Sequence, residues 1–237
     1  MTEKQILTAT IIEGGKRVSV QLPSPPVRIA RLPKDHRGYP VPWFVAYFKD
    51  GKEVARPEGA PDFRILAGGK RELAVKKRLC WICGEPLGVH QVFAIGPMCA
   101  VNRTTMEPPG HRACMEYSAT ACPFLTVPRR RRDERGLDEI AHHAAGVMIK
   151  RNPGAIALWE SAYRPFKVDN GWLIRLSEPH RVDWWTQGRL ATRAEIEEAL
   201  EAGYPELMNV AKDEGPEAVA ALKILREDAT RFLPAAA

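Results

Sequence analysis

Two thiols separated by two residues, in the stretch CWICGEPLG at residues 80–88, constrain this chain more than any other feature. Cys80 and Cys83 are followed by Gly84, a spacing typical of a metal-binding knuckle. A knuckle supplies two ligands, whereas a tetrahedral ion needs four. A second pair of ligands should therefore lie elsewhere in the chain, and its position decides the fold of the central region.

The segment HRAC, residues 111–114, offers that second pair on a predicted helix from about residue 110 to 121. Positions three apart share one face of a helix, so an imidazole and a thiolate there can converge on one ion. Three soft thiolates and one imidazole form a closed tetrahedral set that suits zinc. The sequence thus predicts zinc held by Cys80, Cys83, His111 and Cys114.

Two further cysteines compete for the ligand role. Cys99 could replace His111 and give a Cys₄ site. Cys122 would lie about 12 Å beyond Cys114 if the helix continues at 1.5 Å per residue, too far to reach the same ion; we expect it to be buried beside Phe124. A redox role for the CxxC pair is disfavoured, because no thioredoxin-like βαβ pattern surrounds it.

The residues between the knuckle and the helix, VHQVFAIGPMCAVNR at 89–103, predict a β-hairpin around Gly96 and Pro97. Knuckle, hairpin and ligand-bearing helix in that order form a treble clef. The predicted fold class is therefore α+β, with a central zinc treble clef, small antiparallel β elements on either side and a helical C-terminus.

Turn and capping signals predict the flanking elements. Gly14-Gly15 predicts a hairpin that pairs Leu7 with Leu22, Ala9 with Val20 and Ile11 with Val18, and Asp50-Gly51 predicts a second hairpin. A short helix is expected over residues 70–78. The strand candidates VMIKR, AIALWES, RPFKV, GWLIRL and HRVDWW should form a small antiparallel sheet.

The C-terminal part is predicted to be helical. Thr192 and Glu195 form a capping box, and Gly203 with Pro205 is expected to end that helix. A last helix should begin near Pro216 with an apolar core-facing stripe. The resulting division of the chain is 1–26 hairpin and Pro-rich connector, 27–78 hairpin-containing region, 79–127 zinc module, 128–140 basic linker, 141–191 β region and 192–237 helices.

The net charge of +6 is concentrated on the segment that holds the cysteines. Between Lys70 and Arg135 there are twelve Lys or Arg against six Asp or Glu, and the rest of the chain is balanced. A basic surface beside a small rigid zinc fold favours binding to phosphate. The predicted nucleic-acid contacts are Lys76, Lys77, Arg78, Arg103, Arg112, Arg129, Arg130, Arg131 and Arg132.

Two other functions remain open from the sequence. His90, Asn102 and His111 occur in the order of a His-Asn-His metal-dependent nuclease, although His111 would then serve two sites and no DH or HH pair marks the first strand. Alternatively, the chain is a protein-interaction module that acts on a host protein. Its segment GYPVPWF, residues 38–44, could present an aromatic anchor, or could be a stiff turn that lines the core.

Several longer strings resemble a group of uncharacterised proteins from actinobacteria and their phages, with relatives in other bacteria. They are RLPKDHRGYPVPWF, DFRIL, CWICGEPLG, AIGPMCAVNR, EPPGHRACMEYSATACPFL and GVMIKRNPG, and the resemblance spans about residues 27–235. It implies a bacterial or phage setting and no activity. With no apolar run of about 18 residues and no secretory leader pattern, we expect a cytoplasmic, non-membrane protein that is more readily a binding protein than an enzyme.

Overall fold

The computed structural model describes residues 7–13, 16–127, 130–137, 151–169 and 171–235. Within these ranges the chain mixes helix and sheet, which confirms the predicted α+β class. The strands are Leu7–Glu13 (β1), Lys16–Leu22 (β2), Val45–Lys49 (β3), Lys52–Val54 (β4), Ala60–Leu66 (β5), Val92–Ile95 (β6), Thr104–Thr105 (β7), Ile156–Glu160 (β8), Tyr163–Val168 (β9), Gly171–Leu176 (β10), Arg181–Thr186 (β11) and Arg189–Leu190 (β12). The helices are Val27–Ala30 (α1), Lys70–Lys77 (α2), Pro97–Asn102 (α3), Arg112–Ala121 (α4), Pro123–Thr126 (α5), Arg193–Glu214 (α6) and Pro216–Asp228 (α7), with a 3₁₀ turn at Ala229–Phe232.

Both predicted N-terminal hairpins are confirmed. β1 and β2 pair in the expected register, from Leu7 opposite Leu22 to Ile11 opposite Val18, while the turn residues 14 and 15 lie outside the described residues. β3 and β4 join through Asp50 and Gly51, which both have positive φ as a two-residue hairpin turn requires. β5 adds a third strand on the other side of β3.

The strand β8 is the centre of the molecule and lies inside a four-stranded antiparallel sheet in the order β12-β11-β8-β6. All five of its residues are buried, so the sequence IALWE does not alternate between buried and exposed side chains. Ala157 and Trp159 face a core built with α3, α6 and α7. Ile156 and Leu158 face a second core that contains three of the metal-site cysteines.

The strands of the predicted β region are antiparallel, but they form two sheets that each include a strand from the metal segment. β8 pairs with β6, and β10 pairs with β7 in the sheet β7-β10-β9. Most of the predicted strand VMIKR lies outside the described residues. The pairing connects residues on the two sides of the 128–140 linker, so the sheets hold these two parts of the chain together.

The hairpin predicted around Gly96 and Pro97 is wrong, because the residues after Gly96 form the helix α3. Pro97 occupies a first-turn position, where its missing N–H has no cost. Met98 and Val101, three apart, are both buried in the core of α6 and α7. The apolar residues after Gly96 thus follow a helical period. β6 pairs instead with the distant strand β8.

The predicted end of the helix at Gly203 and Pro205 is also wrong, although its capping box at Thr192 and Glu195 is confirmed. α6 continues through Pro205 to Glu214, and α7 begins at Pro216 as predicted. Gly203 lies against α3, where an added Cβ would be 2.9 Å from Cγ of Met98. Packing against α3 and α7 therefore maintains the helix across a proline that would end an isolated one.

Candidate metal centre and basic surfaces

The knuckle at residues 79–87 is a tight turn closed by its own backbone. The N–H of Cys80 donates to the carbonyl of Glu85 at 2.8 Å, and the N–H of Gly84 donates to the carbonyl of Cys80 at 2.8 Å. Gly84 has φ of 77°, and a Cβ there would lie 2.5 Å from the Trp43 ring. Only glycine meets both requirements, which explains its place directly after Cys83.

His111 is oriented by a hydrogen bond on the far side of its ring. Its Nε2 lies 3.0 Å from the carbonyl oxygen of Pro86, so this nitrogen carries the proton and donates it. Nδ1 then keeps its lone pair and faces the sulfurs of Cys83 and Cys114 at 3.5 and 3.9 Å. Because His111 precedes the first turn of α4, it can approach the knuckle while Cys114 is held on the helix.

The four side chains form one group that could hold a metal ion: Cys80, Cys83, His111 and Cys114. Their ligand atoms all lie within 4.8 Å of one another, and a tetrahedral zinc with Zn–S bonds of about 2.3 Å places sulfurs about 3.8 Å apart. The three cysteines are buried and the histidine is half-buried. Four protein ligands in a closed site are typical of a structural ion, since a catalytic ion keeps an open position.

The thiols affect one another strongly. Hydrogen bonds from Cys114 and Cys83 hold the pKa of Cys80 well below its usual range, and backbone N–H groups of Cys83 and His111 also donate to its sulfur. The contact with Cys80, followed by that with Cys83, raises the pKa of Cys114 far above its usual range. A cation is what allows all three sulfurs to be thiolates together.

Cys99 and Cys122 lie outside this group. Cys99 is on α3, and burial raises the pKa of its thiol to about 12. Cys122 follows the last residue of α4, where burial also raises its pKa. Both remain protonated thiols at neutral pH, so the structure gives no support to a site in which Cys99 replaces His111.

Two of the predicted nucleic-acid contacts, Arg103 and Arg112, have internal partners instead. Arg103 is paired with Asp228 and lies over the ring of Phe232 at 5.3 Å. Arg112 is paired with Glu160 and lies 2.6 Å from Asp183. Both side chains are about four-fifths buried, so these arginines hold elements together and we withdraw them as contacts.

The other predicted contacts divide into two groups. Lys76, Lys77 and Arg78 are exposed at the end of α2, and no carboxylate in the described ranges pairs with them. Arg130 and Arg131 are exposed in the linker, Arg132 donates to the carbonyl of Arg64, and Arg129 lies outside the described residues. The exposed end of α2 is thus the clearest basic surface among the predicted residues.

Sequence reasoning missed a second basic surface, on the outer face of β9 and β10. Arg164 and Arg175 lie directly opposite each other across the two strands, and both are exposed. In the part of the chain that the structure describes, neither is paired with a carboxylate. Phe166 shares this face, and the Arg175 guanidinium lies 5.6 Å from its ring centre. The arginine of each strand is visible in the sequence, but only the register brings them together.

The three residues of the nuclease alternative do not form one site. His90 contacts Glu160 at 2.6 Å, and His111 faces the cysteines. The side-chain oxygen of Asn102 accepts from the N–H of Thr104 at 2.9 Å, which fixes the turn after α3. Each of the three therefore has a local structural partner.

The aromatic residues of GYPVPWF are used inside the protein. Tyr39 is buried against β1 and β2, and Phe44 stacks on Trp81 with ring centres 4.5 Å apart. Trp43 is half-buried and covers Gly84 of the knuckle. This segment therefore lines the core, as one of the two sequence interpretations predicts.

Among the described helices, none combines the length and the apolar character that crossing a membrane requires. Comparisons of the chain with protein-family models, with curated proteins and with solved structures found no match.

Proposed function

We propose that this chain is a zinc protein whose ion is structural and whose exposed basic surfaces bind nucleic acid, in an accessory or regulatory role without catalysis. The observation that carries the metal part of this proposal is the convergence of three thiols and one oriented imidazole in a closed site. The family resemblance given above supports a bacterial or phage setting for this role.

We further propose that the metal segment is a treble clef interrupted by an insertion. The start of β6 is hydrogen-bonded to Gly110, two residues before α4: the N–H of Val92 donates to the carbonyl of Gly110 at 3.1 Å, and the N–H of Gly110 donates to the carbonyl of Val92 at 2.8 Å. α3 and β7 stand between these two residues. The order of knuckle, Val92–Gly110 pair and α4 supports this proposal.

Native mass spectrometry of the purified protein tests the metal. We expect the mass of the chain plus one zinc, and we expect Cys114→Ser to lose it. Cys122→Ser is the matched control, because it removes a nearby thiol outside the ligand group. A parent protein without zinc, or a Cys114→Ser variant that keeps it, would contradict the assignment.

Nucleic acid is the favoured partner because unpaired cations and an aromatic ring share one sheet face. Like charges directly opposite on a sheet are unfavourable, and a phosphate between Arg164 and Arg175 would reduce their repulsion. Phe166 offers a ring on which a base can stack, and such stacking favours single strands. The exposed end of α2 adds three further cations.

The test is salt-dependent binding of a single-stranded oligonucleotide to the double variant Arg164→Ala/Arg175→Ala. We expect weaker binding and a salt slope reduced by about 0.7, the value for one lost phosphate contact on a single strand. The control is Arg189→Ala/Arg193→Ala, which removes the same charge from arginines paired with Glu195 and Glu197. Equal losses in the two variants, or no binding by the parent, would overturn nucleic-acid binding through this face.

A further inference from the structure

A cleft of about 690 Å³ lies between the end of α2 and the strands β8 and β9. Its lining includes Lys76, Arg78, His90, Glu160, Tyr163 and His180. A volume of this size suits a ligand as large as a nucleotide. Neither the zinc site nor the face of Arg164 and Arg175 includes any of these residues.

His90 is held at this cleft by a hydrogen bond to Glu160, which is itself held by ion pairs from two further elements. Its Nδ1 lies 2.6 Å from Oε1 of Glu160. The other carboxylate oxygen of Glu160 accepts from Arg112, whose Nη1 lies 2.6 Å from Asp183. The Glu160 side chain is only 11% exposed, whereas that of His90 is 77% exposed. The imidazole is thus fixed on one side and open to a ligand on the other.

The charges around the cleft leave a positive excess. Arg112 balances the carboxylate of Glu160, and Arg181 at 2.8 Å adds a second cation beside Asp183. Lys76 and Arg78 have no carboxylate partner in the described ranges. A protonated His90 would donate from Nε2 to a ligand while Nδ1–H stays on Glu160. The donors therefore suit an anion with several oxygens.

We propose that this cleft binds the phosphate group of a nucleotide unit, with Lys76, Arg78 and His90 as its donors. The phosphate could belong to a free nucleotide or to a nucleic-acid chain. Tyr163 and Pro165 provide an apolar wall for the sugar or base. The preference for a nucleotide over another phosphate compound rests on the proposed function.

The experiment follows the histidine ring signals of the full, zinc-loaded chain by NMR during titration with three probes: inorganic phosphate, uridine monophosphate and a single-stranded oligonucleotide. We expect the signals of His90 and His180 to shift and those of His36, an exposed histidine outside the cleft lining, to stay in place. His90→Gln assigns the signal, and zinc content verifies that each variant is folded.

The adjacent lysines of α2 supply a matched pair of variants. Lys76 lines the cleft and Lys77 does not, although both are exposed and carry the same charge. We expect Lys76→Ala to weaken binding of uridine monophosphate about tenfold, or about 1.4 kcal/mol. We expect Lys77→Ala to weaken it less than twofold. Equal effects of the two changes, or His90 signals that no probe shifts, would overturn the cleft assignment.

The same data separate this inference from the proposed function. If the oligonucleotide binds without shifting His90, the cleft proposal fails and nucleic-acid binding stands. If uridine monophosphate shifts His90 and the oligonucleotide does not bind, the cleft is a free-nucleotide site and nucleic-acid binding fails. Shifts with both probes, each weakened by Lys76→Ala, support the two together.

Discussion

The two faces of β8 are stabilised in different ways. On one face, Trp159 packs with the long helices α6 and α7 in a large apolar core. On the other, Leu158 faces a region in which the knuckle has little regular structure and four ligand side chains converge. The first face obtains its stability from burial of apolar area, whereas the second contains a group of side chains that could hold a metal ion.

This contrast has a physical cause. α6 and α7 are long helices whose apolar residues pack into one core, whereas the segment from the knuckle to α4 bends several times in about forty residues. Short irregular segments cannot cover enough apolar surface to offset their conformational entropy. A metal ion bound by ligands from two separate segments holds those segments together, so less buried apolar surface is needed to offset their conformational entropy.

Metal removal should have the largest effect, and it should destabilise only the face of β8 that packs on the metal segment. With a chelator, we expect amide hydrogen exchange to speed up by at least tenfold in α4 and the knuckle while α6 and α7 stay protected, because structural zinc contributes about 10–16 kcal/mol of binding energy to folding. Hydrogen exchange with mass spectrometry measures this by segment. Protection of α4 that survives full zinc removal would show that apolar packing is sufficient there.

Trp159→Ala should destabilise the other face of β8, which packs on α6 and α7. The side chain is fully buried and its Nε1–H donates to the carbonyl of Ser177 at 3.1 Å, so we expect a loss of about 3–5 kcal/mol of unfolding free energy with zinc still bound. Urea unfolding and zinc content together measure this. Trp172→Ala, at an exposed tryptophan, should cost less than about 1 kcal/mol, and similar losses in the two variants would refute this account of the core.

Asn152→Ala tests a polar connection between the end of the metal segment, at residues 124–127, and the residues just before β8. Asn152 is 1% exposed; its amide donates to the carbonyls of Phe124, Leu125 and Val127, and its oxygen accepts from Gly154. Losing these partners leaves buried groups unpaired, so we expect a cost of about 2–4 kcal/mol in urea unfolding. The half-buried Asn102 has a side-chain hydrogen bond, in which its Oδ1 accepts from the backbone N–H of Thr104, so Asn102→Ala should cost about 1 kcal/mol. A larger cost for Asn102→Ala than for Asn152→Ala would contradict this role of Asn152.

Arg164→Ala should have the smallest effect and the opposite sign. Removing one of two opposed arginines relieves repulsion, so we expect the unfolding free energy in urea to rise by about 0.2–0.5 kcal/mol. Arg193→Ala, which breaks an i,i+4 pair with Glu197, should lower it by about 0.3–0.5 kcal/mol. Destabilisation by Arg164→Ala would show that repulsion between Arg164 and Arg175 does not lower the stability of the sheet.

Local chemistry was readable from the sequence, whereas long-range pairing was not. The Asp50-Gly51 turn and the Thr192 capping box depend on neighbours within a few residues, and the structure confirms both. The four metal-ligand candidates were also visible, since cysteine and histidine spacing reports directly on coordination.

The misassigned elements depend on contacts distant in the chain. Residues after Gly96 become the helix α3 because β6 is satisfied by β8, more than sixty residues later. α6 continues through Pro205 because Gly203 packs against Met98. Glu160 was not predicted as a partner of His90 because seventy residues separate them and a single exposed histidine gives no pattern.

The pairing of β6 with β8 bears on how the chain assembles during synthesis. All four metal ligands lie between residues 80 and 114, so they can bind an ion before β8 has been made. Until residue 160 emerges, however, β6 has no neighbour on the side that β8 will occupy, and an unpaired strand edge invites association with other chains. A fragment cut at residue 127 would keep this edge exposed, so we expect it to associate with other chains more readily than the longer chain does.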